Sequence, residues 1–156
     1  MSSAHTAGVS AFLAIFWGGL ACGILDITQA FTAWGLQNGV KPVSILQHIA
    51  SGLLGPRSFQ GGAKTAALGA VLHFFIAFTA AAVYYAASRW LPFMTNQAVL
   101  SGLLYGEAVF LFMYFVVVPL SAATKSPFTM ATLITGPIGH MFLVGLPIAL
   151  AVRRYS

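Results

Sequence analysis

Four long apolar runs dominate the hydrophobic pattern, at about residues 9–33, 65–88, 97–120 and 129–152. Each holds roughly 24 residues, enough at about 1.5 Å per residue to cross a hydrocarbon layer of about 30 Å with some tilt. Arg89 with Pro92, Lys125 with Pro127, and Arg153-Arg154 close the later runs with charge or helix breakers. The gap after the first run has a different pattern. A turn signal, Gln37-Asn38-Gly39, precedes Lys41-Pro42, and Pro42 suits the first turn of a helix. Val43, Leu46, Ile49, Ala50, Leu53 and Leu54 then recur three and four residues apart. Ser44, Gln47, His48 and Ser51 fill the other face, and Gly55-Pro56 ends the pattern. This stretch is too short to span. It predicts an amphipathic helix over 42–54 in the membrane interface, with its polar face and His48 toward headgroups or solvent. A re-entrant segment is the alternative. The pattern as a whole predicts an all-α fold: one domain over 1–156, a four-helix transmembrane bundle with an interfacial helix between the first two spans.

Composition agrees with that class. Of 156 residues, 59% are hydrophobic and 6% charged, against about 25% charged in an ordinary soluble domain. Mean hydropathy is +0.90. These values exclude a soluble globular domain, a disordered chain and a nucleic-acid binder, and they make the bilayer the first partner. The net charge of +5 comes from cations scattered singly between the runs, where they serve topology and headgroup anchoring. Lys41, Arg57, Lys64 and Lys125 fall on one side of the membrane; Arg89, Arg153, Arg154 and the amino terminus fall on the other. That balance leans toward cytoplasmic termini. The lone cysteine, Cys22, lies in the first run and reads as a small packing residue. The stretch from Met1 to Ser10 carries no Lys or Arg, so the first run reads as an uncleaved membrane helix.

Each run carries one ionisable group: Asp26, His73, Glu107 and His140. Counted from the side of the first loop, they lie about 7 to 13 residues deep, or roughly 10 to 20 Å below the helix ends. All four therefore share one slab of the membrane. An ionisable side chain at that depth is costly and ordinarily faces the bundle interior with a partner. Asp26 shares a helical face with Gly19 and Gly23, His73 with Gly69, and His140 with Gly136, small residues that mark a helix-packing face or a cavity. Glu107 instead shares its face with Leu103, Leu104, Phe110, Leu111 and Tyr114, while Gly102 and Gly106 point elsewhere. It faces either the bundle across bulky neighbours or a partner protein. Pro137 and Pro147 inside the fourth run remove backbone donors and predict a kink or break.

Two imidazoles and two carboxylates at one level suit several chemistries. They can form a purely structural hydrogen-bond and ion-pair network. They can form a proton or ion path, since imidazoles and buried carboxylates titrate near neutral pH. His73 and His140, on diagonal helices, can ligate a b-type haem or a single metal ion. No HExxH, CxxC or ExxH pair is present, and no nucleophilic triad or phosphate loop is visible, so an enzyme is not indicated. Two function classes follow. One is a small transporter, channel or proton-linked protein built on the four polar residues. The other is a non-catalytic accessory or assembly subunit of a larger membrane complex, or a homo-oligomer. A haem- or metal-binding membrane protein is a third.

Pro119-Leu120, Pro127, Gly139-His140-Met141 and the closing Arg153-Arg154 resemble the YagU-like family of poorly characterised bacterial inner-membrane proteins. The second run is similar too, with one His in an apolar helix followed by Tyr84 and Leu91-Pro92. The resemblance covers about half the chain and departs from the family in the first loop. It implies four helices in a bacterial cytoplasmic membrane and, through the family's association with acid resistance, a link to protons. His73 and His140 are the positions it carries over, without a role.

Overall fold

In a computed structural model the chain is described over residues 2–123 and 130–156, with side chains over 8–36, 38–123 and 134–156. The breakers Lys125 and Pro127 lie outside the described residues. Helix α1 (Ser2–Asn38) contains the first span, Gly8–Leu36. Helix α2 (Pro42–Leu54) and one irregular turn (Gly55–Gln60) lead into the second span, α3 (Gly62–Trp90). A four-residue turn of helix, α4 (Phe93–Asn96), precedes the third span, Ala98–Leu120. That span consists of α5 (Ala98–Phe112), a widened turn (Met113–Val117) and α6 (Val118–Leu120). The fourth span, Ile134–Tyr155, runs through α7 (Met130–Gly139), a second widened turn (His140–Gly145) and α8 (Leu146–Tyr155). Large apolar side chains lie on the outside of every span, Phe12, Phe75, Leu104 and Phe142 among them. Such a surface suits lipid and would aggregate in water. The molecule is a multi-pass helical membrane protein.

With lipid tails as apolar as leucine, helices associate through close packing and interhelical hydrogen bonds rather than through exclusion of water. Glycine provides the close approaches. A Cβ on Gly19 would run into Phe78, and one on Gly23 would sit 2.7 Å from the Phe74 ring, so α1 and α3 meet there. The tightest contact joins the third and fourth spans. A Cβ on Gly106 would strike the His140 carbonyl, and one on Gly145 would strike the Gly102 carbonyl. Gly102 and Gly106, which sequence spacing alone leaves unassigned, are thus the seam between these two spans. Gly136 packs under the Phe110 ring.

The spans form a ring in the order α1, α3, third, fourth, with α1 and the fourth packed tightly and α3 and α5 standing apart. Tyrosines bridge that gap: Tyr105 donates to Ala80 O at 2.7 Å, and the Tyr84 hydroxyl lies 2.8 Å from Ser101 Oγ. Tyr84 is fully buried and also donates to Met94 O at 2.9 Å, which tucks α4 under the bundle. Around it Ala81, Ala98, Ile148, Ala149 and Val152 form a dry core at the end of the bundle away from α2.

The expected kink in the fourth span takes a specific form. At Leu146 the N–H donates to Met141 O, five residues back, and at Val118 it donates to Met113 O in the same way. Both widened turns end two residues before a proline, Pro147 for the turn in the fourth span and Pro119 for that in the third. A proline ring clashes with the carbonyl four residues back, and the added residue in the turn relieves that clash without breaking the helix. Pro137 is accommodated inside α7.

Helix α2 occupies the predicted residues but turns the other way round. Its polar residues Gln47 and Ser51 are buried, while Val43, Leu53 and Leu54 are exposed. Gln47 Nε2 donates to Gly62 O at 3.1 Å, and a Cβ on Gly69 would strike Leu46 O. Gln47 is therefore spent on the start of α3 and Ser51 on its own helix, Ala50 is buried beside them, and Val43, Leu53 and Leu54 stay on the surface. Gly69 lies seven residues into α3, about 10 Å along its axis, so α2 wedges into the end of the bundle instead of lying across it.

Candidate functional site

The wedge of α2 encloses a cavity of about 280 Å³ between α1, α3 and the two later spans. Three of the four predicted ionisable residues line it: Asp26 from α1, His73 from α3 and His140 from the fourth span. Asp26 is brought there by the same face of α1 that closes on α3 through Gly19 and Gly23. His140 opens the widened turn of the fourth span, and widened turns of this kind recur at functional sites.

Both imidazoles are held by backbone carbonyls. His73 Nε2 lies 2.8 Å from Gly23 O, and His140 Nδ1 lies 2.9 Å from Gly136 O. A carbonyl only accepts, so each of these nitrogens carries the hydrogen. In a neutral ring the other nitrogen, Nδ1 of His73 and Nε2 of His140, is then an acceptor. Edge-on contacts with Phe74 (5.4 Å) and Phe110 (5.3 Å) fix the ring planes. Asp26 has no hydrogen bond or ion pair among the described residues. The expected structural network of mutual ion pairs is therefore absent there. The groups share a cavity without neutralising one another.

Two residues depart from the sequence expectation. His48 does not face headgroups; it lines the cavity with Ile45 and Ile49, and its ring stands 6.4 Å from Phe59. It also borders an outer recess of about 230 Å³, with Trp34, Val40, Ser44, Ile45 and Phe59, and so stands between inner cavity and outer recess. Burial pushes its pKa below the ordinary 6.5, favouring the neutral ring. Its inward turn follows from the inverted face of α2, which hydropathy periodicity alone does not reveal. Glu107 does not reach the cavity. It sits half-buried on the outer side of α5, beside exposed Leu104 and Leu111, with no ion pair among the described residues. Gln29 was not singled out by its sequence context, yet its Nε2 donates across to Thr135 O at 3.4 Å.

Among the described residues no three His, Cys, Asp or Glu side chains gather closely enough to hold a metal ion. At about 280 Å³ the space falls below the range of drug-sized ligand pockets, about 300–1,000 Å³, and is too small for a tetrapyrrole between His73 and His140. It suits water, protons or a small polar group. At its α2 end His48 borders both this cavity and the outer recess; the buried residues around Tyr84 lie toward the other end.

Comparison of this chain with protein-family models, with curated proteins and with solved structures finds no match.

Proposed function

We propose that the protein is a small proton-linked carrier of a bacterial cytoplasmic membrane, working through the cavity of Asp26, His73 and His140 with His48 at its mouth. The observation that carries the reading is the gathering of Asp26, His73 and His140 in one cavity between the spans. His48, at the α2 end, borders both this cavity and the outer recess, while the buried residues around Tyr84 lie at the other end. Two imidazoles and a carboxyl lining one cavity give a proton successive places to rest. The resemblance to YagU-like proteins points the same way.

The test is proton flux in vesicles of purified protein under an imposed potassium diffusion potential, read with an internal pH dye. Wild type is expected to exceed protein-free vesicles, and Asp26→Asn and His140→Ala to fall to their level while still eluting as folded protein. Wild-type flux equal to that of empty vesicles refutes the proposal.

A second reading, an accessory subunit, is favoured by Glu107. A carboxylate on the lipid side of a span is costly, and a neighbouring membrane helix offering a donor would cover it. Chemical cross-linking in native membranes tests this. Discrete cross-linked species that disappear in Glu107→Leu support it, and an unchanged monomer counts against it.

A further inference from the structure

A second, larger space lies beside the polar cavity. Between α3 and α5, where the spans stand apart, a groove of about 560 Å³ is lined almost wholly by apolar side chains. Phe75, Thr79 and Val83 supply one wall, and Ala108, Phe112 and Val117 the other. Phe75, Val83 and Phe112 are exposed on the outer surface, so the groove faces the lipid. From Tyr105 to Val117 it follows α5 for about 18 Å. Four residues, Ile76, Ala80, Val109 and Met113, border both the groove and the polar cavity. Met113, an unbranched and adaptable side chain, begins the widened turn of the third span. The partition between the two spaces is thus one side chain thick and includes a residue at an irregular point of its helix.

The cavity behind this partition has a definite preference. Where the three polar groups converge, the Asp26 carboxyl and the remaining ring nitrogens of His73 and His140 can accept, the partner nitrogens being already spent on Gly23 O and Gly136 O, while Trp34 and His48 line the α2 end. No cation within the chain neutralises Asp26 among the described residues. A primary ammonium offers one positive charge and three N–H donors, which match a carboxylate and two imidazole nitrogens. Anionic heads, by contrast, would meet like charge and acceptors. We infer that the carrier's substrate class is the lipophilic primary amine, its ammonium head in the Asp26–His73–His140 cavity and its tail in the α3–α5 groove, entering laterally from the membrane. The inference rests on the carrier reading above and names the solute class that its proton-conducting cavity also accepts.

The test uses a dodecylamine carrying a diazirine near the end of its tail, added to phosphatidylcholine vesicles that contain the full-length protein. Photolabelled residues are mapped by mass spectrometry, and proton flux without amine is measured on the same vesicles. Labelling is expected on groove residues of α3 and α5, and to be outcompeted by unlabelled dodecylamine but not by dodecanoate. Losing a charged hydrogen-bond partner should cut labelling about tenfold or more in Asp26→Asn. Ala108→Trp fills the groove from the lipid side without touching the polar cavity. It should abolish labelling and leave amine-free flux intact, and it keeps the test decisive if Asp26→Asn does not assemble. Equal labelling by a carboxylate-headed probe, or labelling unchanged in Ala108→Trp, overturns the inference even where flux is present. Absent flux with amine- and Asp26-dependent labelling overturns the carrier reading alone.

Discussion

Replacing Gly106 by alanine tests the link between helix packing and the site. In isolation the change favours the helix by up to about 1 kcal/mol, the propensity difference between the two residues. Here the new methyl group would lie 2.6 Å from the carbonyl carbon of His140 and 2.7 Å from the Cα of Met141. Ordinary carbon contacts are about 3.5–4.0 Å, so the third and fourth spans must part by about 1 Å. The obstacle is backbone and cannot rotate aside. Overpacking of this kind typically costs about 1–3 kcal/mol, which is the loss expected relative to a variant that receives the propensity gain alone. Gly8→Ala is the control, since nothing lies within 4 Å of a Cβ there. Unfolding in mixed micelles with increasing dodecyl sulfate, followed by far-ultraviolet circular dichroism, measures the difference. The displaced atoms belong to the turn that carries His140, so proton flux should fall with stability. A Gly106→Ala protein as stable as Gly8→Ala, with flux intact, would refute both the packing seam and its coupling to the cavity.

Three further outcomes are expected. Tyr84→Phe removes a fully buried hydroxyl bonded to Met94 O and placed against Ser101; in the same unfolding assay it should cost about 0.6–1.7 kcal/mol, the span seen for interhelical hydrogen bonds in membranes. The lowered pKa of His48 means that the unfolded chain takes up its proton first, so stability should be fully present above pH 6.5 and decline as pH falls toward the folded value; a His48→Asn variant should lose that part of the pH dependence, and an identical profile would count against the buried placement. Glu107→Gln should leave flux unchanged, because Glu107 lies outside the cavity, and a Gln variant as inactive as Asp26→Asn would place it in the path after all.

Elements whose signal is local were legible in the sequence. Four apolar runs became the four spans, and the periodic stretch at 42–54 became α2 with the same bounds. Asp26, His73 and His140 share a cavity because depth can be counted along a helix, and depth was what the sequence supplied. Rotation about the helix axis was less accessible. Glu107 has a suitable depth and the wrong azimuth. For His48 and Gln47 periodicity points to the surface, because polar faces usually meet solvent; here Gln47 bonds to the start of α3 and His48 lines the cavity, partners that a single helix cannot reveal. The Gly102–Gly106–Gly145 seam needs two helices to be seen together, so neither run alone discloses it. The widened turns had a legible trace in Pro119 and Pro147, but a proline marks a disturbance without saying whether the helix bends or gains a residue.

The gap between α3 and α5 is braced at both ends. At one end of the groove Tyr105 and Tyr84 span it by hydrogen bonds of 2.7 and 2.8 Å. At the other, α2 is docked on α3, while Ala122, just past the third span, donates its N–H to Gly52 O of α2 at 3.0 Å. Bonds of set length at top and bottom make the space between a slot of set width, unable to collapse or to spread while both braces hold. A slot selects by cross-section rather than by length: a straight chain slides in from the bilayer and a branched one stops at the rim. Straight- and branched-tail amine probes of equal carbon number should therefore label unequally, and Tyr105→Phe, which releases one brace, should narrow the difference.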